Sequence, residues 1–496
     1  MRIQMKKMIV ETIETMIEGL EYSKECNNES AFSMIDQCYD GIVSVENVLK
    51  KELSEMAFEK YVDKFCKMRD FHINIKNYLE NNEIFYKEIE KSIDILKQLI
   101  FDLNNEEEVK IEILFMPYKI SMWDSLEPIY RVAQKDKRCN AYVMPIPYYV
   151  LSNNEEGKYL EYEGDKFDEK VNIVDFRNYI ISEKRPDIIY IHNPYDQYNS
   201  LTRIPEVYYS REIKKYTKML IYSPYYVWDE FIKGKDEIYY VCPSTSLYAD
   251  KYISMNSKEE KVLLSLGLNS EKVMAFGSPK IDSIVYNTNN NCKIPDEWLK
   301  KVKGKKVFLL NTKIFHFSGN AENALVELER LINSFIEDKR ITLIWRPHPL
   351  ALDGVIKYYP IIFERYLELI NNVKSAENCI YDDTSEYYKS FALSDALISD
   401  KSSITLLYSV TKKPIYYLED NKDRTENEVV NYISDYNKYS LSNGVSLEEF
   451  KEMVLKNEDI YYDERVGALQ EDFPNIDGKA SEHIHNKICE ELLDII

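Results

Sequence analysis

Ile341-Thr342-Leu343-Ile344-Trp345-Arg346-Pro347-His348-Pro349 is the stretch from which the rest of the chain can be read. Its β-branched, apolar run reads as a buried strand. The run stops at an arginine and a histidine flanked by two prolines. Proline lacks an N–H and has a fixed φ, so it opposes continuation as a central strand or helix. Arg346 and His348 are therefore expected on a stiff turn just past the carboxyl end of a strand. Ligands bind at that edge of open α/β sheets. A guanidinium offers phosphate oxygens a planar, permanently charged fork, and an imidazole adds a second donor. The alternative is an arginine paired with a nearby acid and a histidine that closes a turn.

Outward from this stretch, strands alternate with helical segments. One expected series is Ile111–Met116, Ala141–Ile146, Asp187–His192, Met219–Tyr222, Ile238–Cys242 and Val273–Phe276. A second runs through Val307–Leu310, Ile341–Trp345, Ala396–Ser399 and Pro414–Leu418. Such alternation predicts parallel sheets covered by helices, and two series predict two Rossmann-like units facing each other. Before Pro117 the chain has no proline, and Met8, Ile9, Ile13, Met16, Ile17 and Leu20 recur at helical spacing. The expected organisation is thus an all-helical N-terminal domain over 1–105, Rossmann-like units over 106–290 and 291–475, and a C-terminal helix over 476–496.

The 496 residues suit more than one domain. With 45% hydrophobic and 30% charged residues the chain can bury sizeable cores and keep a solvated surface. A formal net charge of -21 opposes nucleic acid and anionic lipid. The eight cysteines include no C-x-x-C pair, which fits single thiols in a reducing compartment rather than a disulfide framework. No apolar run approaches the roughly 18 residues a membrane span requires. These features predict a cytoplasmic protein, peripheral at most to the inner membrane face, with the helical domain open to self-association or a protein partner.

In the second unit Ser399-Asp400-Lys401-Ser402-Ser403 follows a strand and precedes the apolar run Ile404–Val410. Ser402 or Ser403 is an expected N-cap, and a helix start attracts anions. Strand ends at Asn311-Thr312-Lys313, Arg346–His348 and Asp400–Ser403 would then converge on one phosphate site, with Asp400 binding a ribose hydroxyl or pairing with Lys401 or Arg346. In the first unit Trp123 and Asp124 follow the first strand as a cleft wall, or Asp124 or Ser125 caps the next helix. His192 is a candidate general base, with Asp196 to orient it, and Tyr225 lies past another strand end. Asp382-Asp383 reads as a helix cap. His483 and His485 do not share a helical face, and D-x-D, H-E-x-x-H and a glycine-rich phosphate loop are all missing, so no metal or cofactor is expected.

Trp345–Pro349, Ser399–Ser403, Lys413-Pro414-Ile415 and Phe276-Gly277-Ser278-Pro279-Lys280-Ile281-Asp282 together resemble the CDP-glycerol glycerophosphotransferases, which include the teichoic-acid glycerol-phosphate primases and polymerases. The last segment is similar to the family's G-x-P-R-x-D. The resemblance covers roughly 110 to 420, and the helical domain looks like the extension of a separate branch. It implies a GT-B fold, with acceptor in the first unit and nucleotide donor in the second. It also implies inverting attack of an acceptor hydroxyl on CDP-glycerol with release of CMP. Polyol phosphates or glycans are the acceptors it suggests. Arg346, His348, Ser402 and Ser403 match the family's donor-binding positions, and the strand-end reading adds Lys313 and Asp400 to the expected donor contacts. Catalysis falls on His192, Asp124 and His348, and the acceptor side on Trp123, Asp196 and Tyr225. The family's W-H-G-T-P segment carries its histidine base, whereas the comparable strand end here reads Ile221-Tyr222-Ser223-Pro224-Tyr225. Either His192 or Asp124 replaces that base, or the acceptor differs, or the reaction is lost. Another nucleotide-diphosphate-sugar enzyme of the same fold and a non-catalytic nucleotide-binding scaffold are the alternatives.

Overall fold

A computed structural model describes residues 1–151, 159–199, 202–228, 230–237, 244–289, 292–313, 320–384, 386–400, 402–418, 429–431, 436 and 438–495. The expected strand Ile238–Cys242 lies outside the described residues.

Four helices come first: α1 (Ile3–Ser23), α2 (Asn28–Glu52), α3 (Glu55–Leu79) and α4 (Asn82–Asn104). Asn27, Ser54 and Asn81 cap the last three, each accepting a hydrogen bond from a first-turn N–H. Short connections make neighbours antiparallel. Contact between α1 and α4 closes the bundle around Ile13, Leu20, Ile35, Tyr61, Ile89 and Leu96. Its base is tied to the following sheet: the Ile3 N–H donates to the Lys110 carbonyl (3.2 Å), and Gln4 Nε2 donates to Asp187 (2.9 Å). Both ties lie at the amino ends of strands, opposite the edge where ligands bind in such sheets.

The first sheet comprises β1 (Ile111–Met116), β2 (Cys139–Val143), β3 (Ile188–Ile191), β4 (Met219–Tyr222), β5 (Lys251–Ile253) and β6 (Val273–Met274). All its pairs are parallel, in the order β6-β5-β4-β3-β1-β2. Order reverses between β1 and β3, which leaves a crevice past their carboxyl ends. The second sheet comprises β7 (Lys306–Thr312), β8 (Ile341–Pro347), β9 (Cys379–Tyr381), β10 (Ala396–Ser399), β11 (Ile415–Tyr417) and β12 (Tyr439–Ser440). It too is all parallel, in the order β9-β8-β7-β10-β11-β12, with its reversal between β7 and β10. These are two doubly wound α/β lobes.

Five further helices matter to the site: α5 (Glu127–Lys135), α6 (Pro279–Thr288), α7 (Tyr388–Leu393), α8 (Ser403–Ser409) and α9 (Ala480–Ile495). Helix α6 packs on α5 of the first lobe, α7 of the second, and α9. Helix α9 returns to the first lobe and buries Ile484, Ile488 and Leu492 in its core. A ribbon also joins the lobes, Glu230–Ile232 pairing antiparallel with Val429–Asn431. Among the described residues, no helix is long and apolar enough to cross a membrane.

Candidate active site between the lobes

Strand β8 corrects one expectation. It runs through Arg346 to Pro347, so the arginine lies within the strand rather than past it. Proline is tolerated because β9 stops opposite Trp345, leaving no ladder partner for the N–H that Pro347 lacks. Register sets Arg346, Asn311 and Ser399 abreast on β8, β7 and β10, so these strand ends do converge. Asn311 Nδ2 donates to Ser399 Oγ (3.0 Å), and the Lys313 N–H donates to Asp400 Oδ2 (3.1 Å). The buried Asp400 thus ties two strand ends at the reversal point.

Arg346 is committed in part. Its Nη1 pairs with Asp382 at 2.8 Å and reaches Thr384 Oγ1 and the Glu386 carbonyl, both at 3.4 Å. The side chain is 6% exposed. Asp382 also accepts from Thr384 and Ser390, so it anchors the arginine and does not cap a helix as expected. Among the described residues every hydrogen bond of the guanidinium leaves from Nη1. His348 is exposed: Nδ1 accepts the Leu350 N–H (3.1 Å), leaving Nε2 without a partner among the described residues. Partial burial lowers its pKa, which favours the neutral ring. Ser402 is the N-cap of α8, and its Oγ is buried without a hydrogen-bond partner among the described residues. Ser403, the first helical residue, is exposed. Because α8 is short, these hydroxyls and the nearby cations, more than a helix dipole, make the spot suit an anion.

On the first lobe the candidate side chains separate. His192 follows β3 and is fully buried. Its Nε2 accepts the Tyr118 N–H (3.2 Å), while Nδ1 faces the Met122 carbonyl (3.1 Å) and Ser125 Oγ (3.1 Å). Burial drives its pKa down to about 3. Such a ring is neutral and has no lone pair open to a substrate proton. Asp196 does not orient it; its carboxylate accepts the Ser210 N–H (3.0 Å) and Oγ (2.6 Å). Trp123 turns into the core against Tyr130 and Phe167 instead of lining the cleft. Burial is the physical reason in both cases: a buried carboxylate needs donors, and an indole gains most from apolar contact. Tyr225 does reach the strand-end cluster, edge-on to His192 with ring centroids 6.2 Å apart.

Asp124 is where the lobes meet. Lys280 Nζ holds both its oxygens at 2.6 Å, and Tyr387 and Tyr388 donate to Oδ2 at 3.1 and 3.3 Å. Neither Asp124 nor Ser125 caps α5, whose N-cap is Leu126. The chain just past β9 therefore carries the partners of Arg346 at one end and those of Asp124 at the other. Lys280 sits in the Gly277–Asp282 segment, each polar member of which has a task. Ser278 caps α6, Lys280 makes the ion pair, and Asp282 accepts the N–H groups of Ala480 (3.3 Å) and Ser481 (2.6 Å) at the start of α9. Sequence reasoning quoted this segment yet gave its residues no role, and it missed Tyr387 and Tyr388, whose only signal was adjacency to a strand end.

Residues 244–490 match the family described as CDP-glycerol:poly(glycerophosphate) glycerophosphotransferase. Over that segment the chain belongs to the glycerophosphotransferase family. The teichoic acid ribitol-phosphate polymerase TarK of Staphylococcus aureus is 25% identical over 256 residues, which are 48% of this chain and 44% of TarK. TarL of the same organism is 26% identical over 254 residues, covering 48% of this chain and 40% of TarL. The chain thus aligns with less than half the length of these curated relatives. The structure is similar to the wall teichoic acid polymerase TagF, with TM-score 0.51, 17% identity, and 88% of this chain and 99% of that one covered. It is also similar to a UDP-N-acetylglucosamine 2-epimerase of Listeria monocytogenes described as putative, with TM-score 0.51, 14% identity, and 78% and 98% covered. At these identities the likeness concerns the fold: this glycerophosphotransferase-family chain is GT-B-like, with a helical bundle ahead of its two lobes.

Proposed function

We propose that the protein transfers a glycerol phosphate unit from CDP-glycerol to an acceptor hydroxyl, releasing CMP, in teichoic-acid-type polymer synthesis. The observation that carries this reading is the meeting of two sheet-reversal crevices through the residues between Asp382 and Tyr388, with family sequence on the donor side. Lys313 and Arg346 supply cations, His348 a neutral imidazole donor, and Ser402 and Ser403 hydroxyls for the donor diphosphate, and Asp400 ties the ends of their strands. As the hydroxyl attacks the β-phosphorus, negative charge grows on the departing CMP. Fixed donors in a dry cleft stabilise it most strongly there. His192 has no open ring nitrogen, whereas among the described residues Asp124 Oδ1 accepts only from Lys280 and keeps a second lone pair, so we place proton removal on Asp124 Oδ1, with Tyr225 on the acceptor side.

The test is CMP release from CDP-glycerol with a glycerol-phosphate oligomer as acceptor, run beside the ribitol analogue of the donor because two relatives are ribitol-phosphate polymerases. His348 is exposed, so His348→Ala leaves the fold intact and should lower turnover at least ~100-fold. Asp124→Asn should do the same, whereas His192→Gln should retain turnover to the extent that it folds. Donor binding without CMP release, for either polyol, would instead support a nucleotide-binding scaffold, a reading that the committed His192 ring favours.

A further inference from the structure

Away from the cleft, four side chains from the two ends of the Rossmann-like region converge. Asp136 follows α5, Cys139 opens β2, and His485 and Cys489 lie one turn apart on α9. Their ligand atoms all fall within 4.8 Å of one another. His485 Nε2 is 2.9 Å from Asp136 Oδ2, 4.0 Å from Cys139 Sγ and 3.7 Å from Cys489 Sγ. Cys139, His485 and Cys489 are buried.

We propose that Asp136, Cys139, His485 and Cys489 form a structural zinc site that pins the last helix to the first lobe. Tetrahedral zinc, with bonds of about 2.3 Å to sulfur and 2.0–2.1 Å to nitrogen, sets sulfur and nitrogen about 3.6 Å apart. The two observed separations, 3.7 and 4.0 Å, are close to that. The Asp136–His485 pair needs to open by only a few tenths of an ångström to admit the ion. Nε2 is the nitrogen that faces the other three ligands. Binding displaces the two thiol protons to solvent, and the imidazole keeps its single proton on Nδ1. Two thiolates and one carboxylate around a divalent ion leave one negative charge. Arg138, whose guanidinium grips Asp136 through Nε (3.0 Å) and Nη2 (2.7 Å), offsets it. Apolar docking of Ile484, Ile488 and Leu492 already sets the helix face, so the ligands are aligned before any ion arrives. With all four positions filled by protein, the site has no opening for substrate and is structural rather than catalytic.

Sequence reading expected no metal because it compared His485 with His483, whereas the partner on the same helix face is Cys489. The other two ligands lie some 350 positions earlier.

The test uses the full chain under reducing conditions. Purified without chelator, it should hold roughly one zinc per chain, as a closed four-ligand site requires. Stripped and titrated with cobalt, it should show thiolate-to-cobalt charge transfer and tetrahedral ligand-field bands that zinc abolishes. Cys139→Ser and Cys489→Ser should lose at least nine-tenths of the metal, while Cys379→Ser, a buried thiol of the second lobe, should keep it. Failure of the unmodified chain to take up cobalt would overturn the proposal, whether or not the serine variants fold. So would full zinc content in either serine variant, or a Cys139–Cys489 disulfide in reduced protein.

Discussion

His192 joins the turn after β1 to the end of β3, taking the Tyr118 N–H on one ring nitrogen and facing the Met122 carbonyl with the other. Its pKa near 3 lies below the unfolded value of about 6.5. The stability it contributes is therefore present above pH ~6.5 and is lost as pH falls towards 3. That amounts to an effect on the order of 4 kcal/mol. The urea midpoint of the native chain should fall between pH 6.5 and 4, and His192→Gln should flatten that fall while lowering the midpoint at pH 7. Gly277 is a second such residue. It has φ +106, and an added Cβ would lie 2.8 Å from the Pro474 carbonyl oxygen. Gly277→Ala should cost about 1–3 kcal/mol, read from the same midpoint. At this scale the sequence announced which side chains sit at strand ends but not their partners. Arg346 was legible as a strand-end cation, yet its pairing with Asp382 depends on a neighbour 36 positions away. His192 looked like a base because burial cannot be seen in a single apolar run.

The segment Gly277–Asp282 and the helix it begins act as one connecting element. Burial raises the Asp282 pKa to about 6, despite two N–H groups that favour its charged form. The sign is opposite to that of His192: stability from this group is full below its unfolded value near 4 and is lost as pH rises through 6. Ala480 and Ser481 donate to different oxygens of Asp282, so Asp282→Asn keeps an acceptor for only one of the two N–H groups and turns its own NH2 towards the other. It should therefore cost about 1–3 kcal/mol at pH 7 and remove a pH-dependent loss of about 2–3 kcal/mol between pH 4 and 7. Comparing midpoints of the two proteins across that range measures it. Long strands were readable from apolar runs, and Ile111–Met116, Met219–Tyr222 and Ala396–Ser399 lie where the pattern put them. Lys251–Ile253, Cys379–Tyr381 and Tyr439–Ser440 were not, because two or three residues carry too little periodicity to distinguish a strand from a loop.

For the whole molecule, Asp124 and Lys280 form a nearly buried ion pair beside the junction, with side chains 12% and 9% exposed. Removing one partner strands the other, so Lys280→Met should cost about 3 kcal/mol. The double variant with Asp124→Asn should recover much of it, giving a coupling of at least ~1 kcal/mol in a double-mutant cycle of unfolding midpoints. Two lobes and a bundle could be inferred from alternation and proline content, but the return of α9 to the first lobe could not. Amphipathic patterning states that a helix has a buried face, not which lobe receives it. That return has a mechanical consequence. The chain leaves the first lobe near Phe276 and comes back near Asn475, whose Nδ2 donates to the Phe276 carbonyl at 2.8 Å. Outgoing and incoming segments of the polypeptide thus run side by side, and with the ribbon of Glu230–Ile232 on Val429–Asn431 they tie the two lobes together at two places. Lys280 follows Phe276 by only four positions, so the ion pair that steadies Asp124 hangs from the same crossing segment that carries the chain from one lobe to the other.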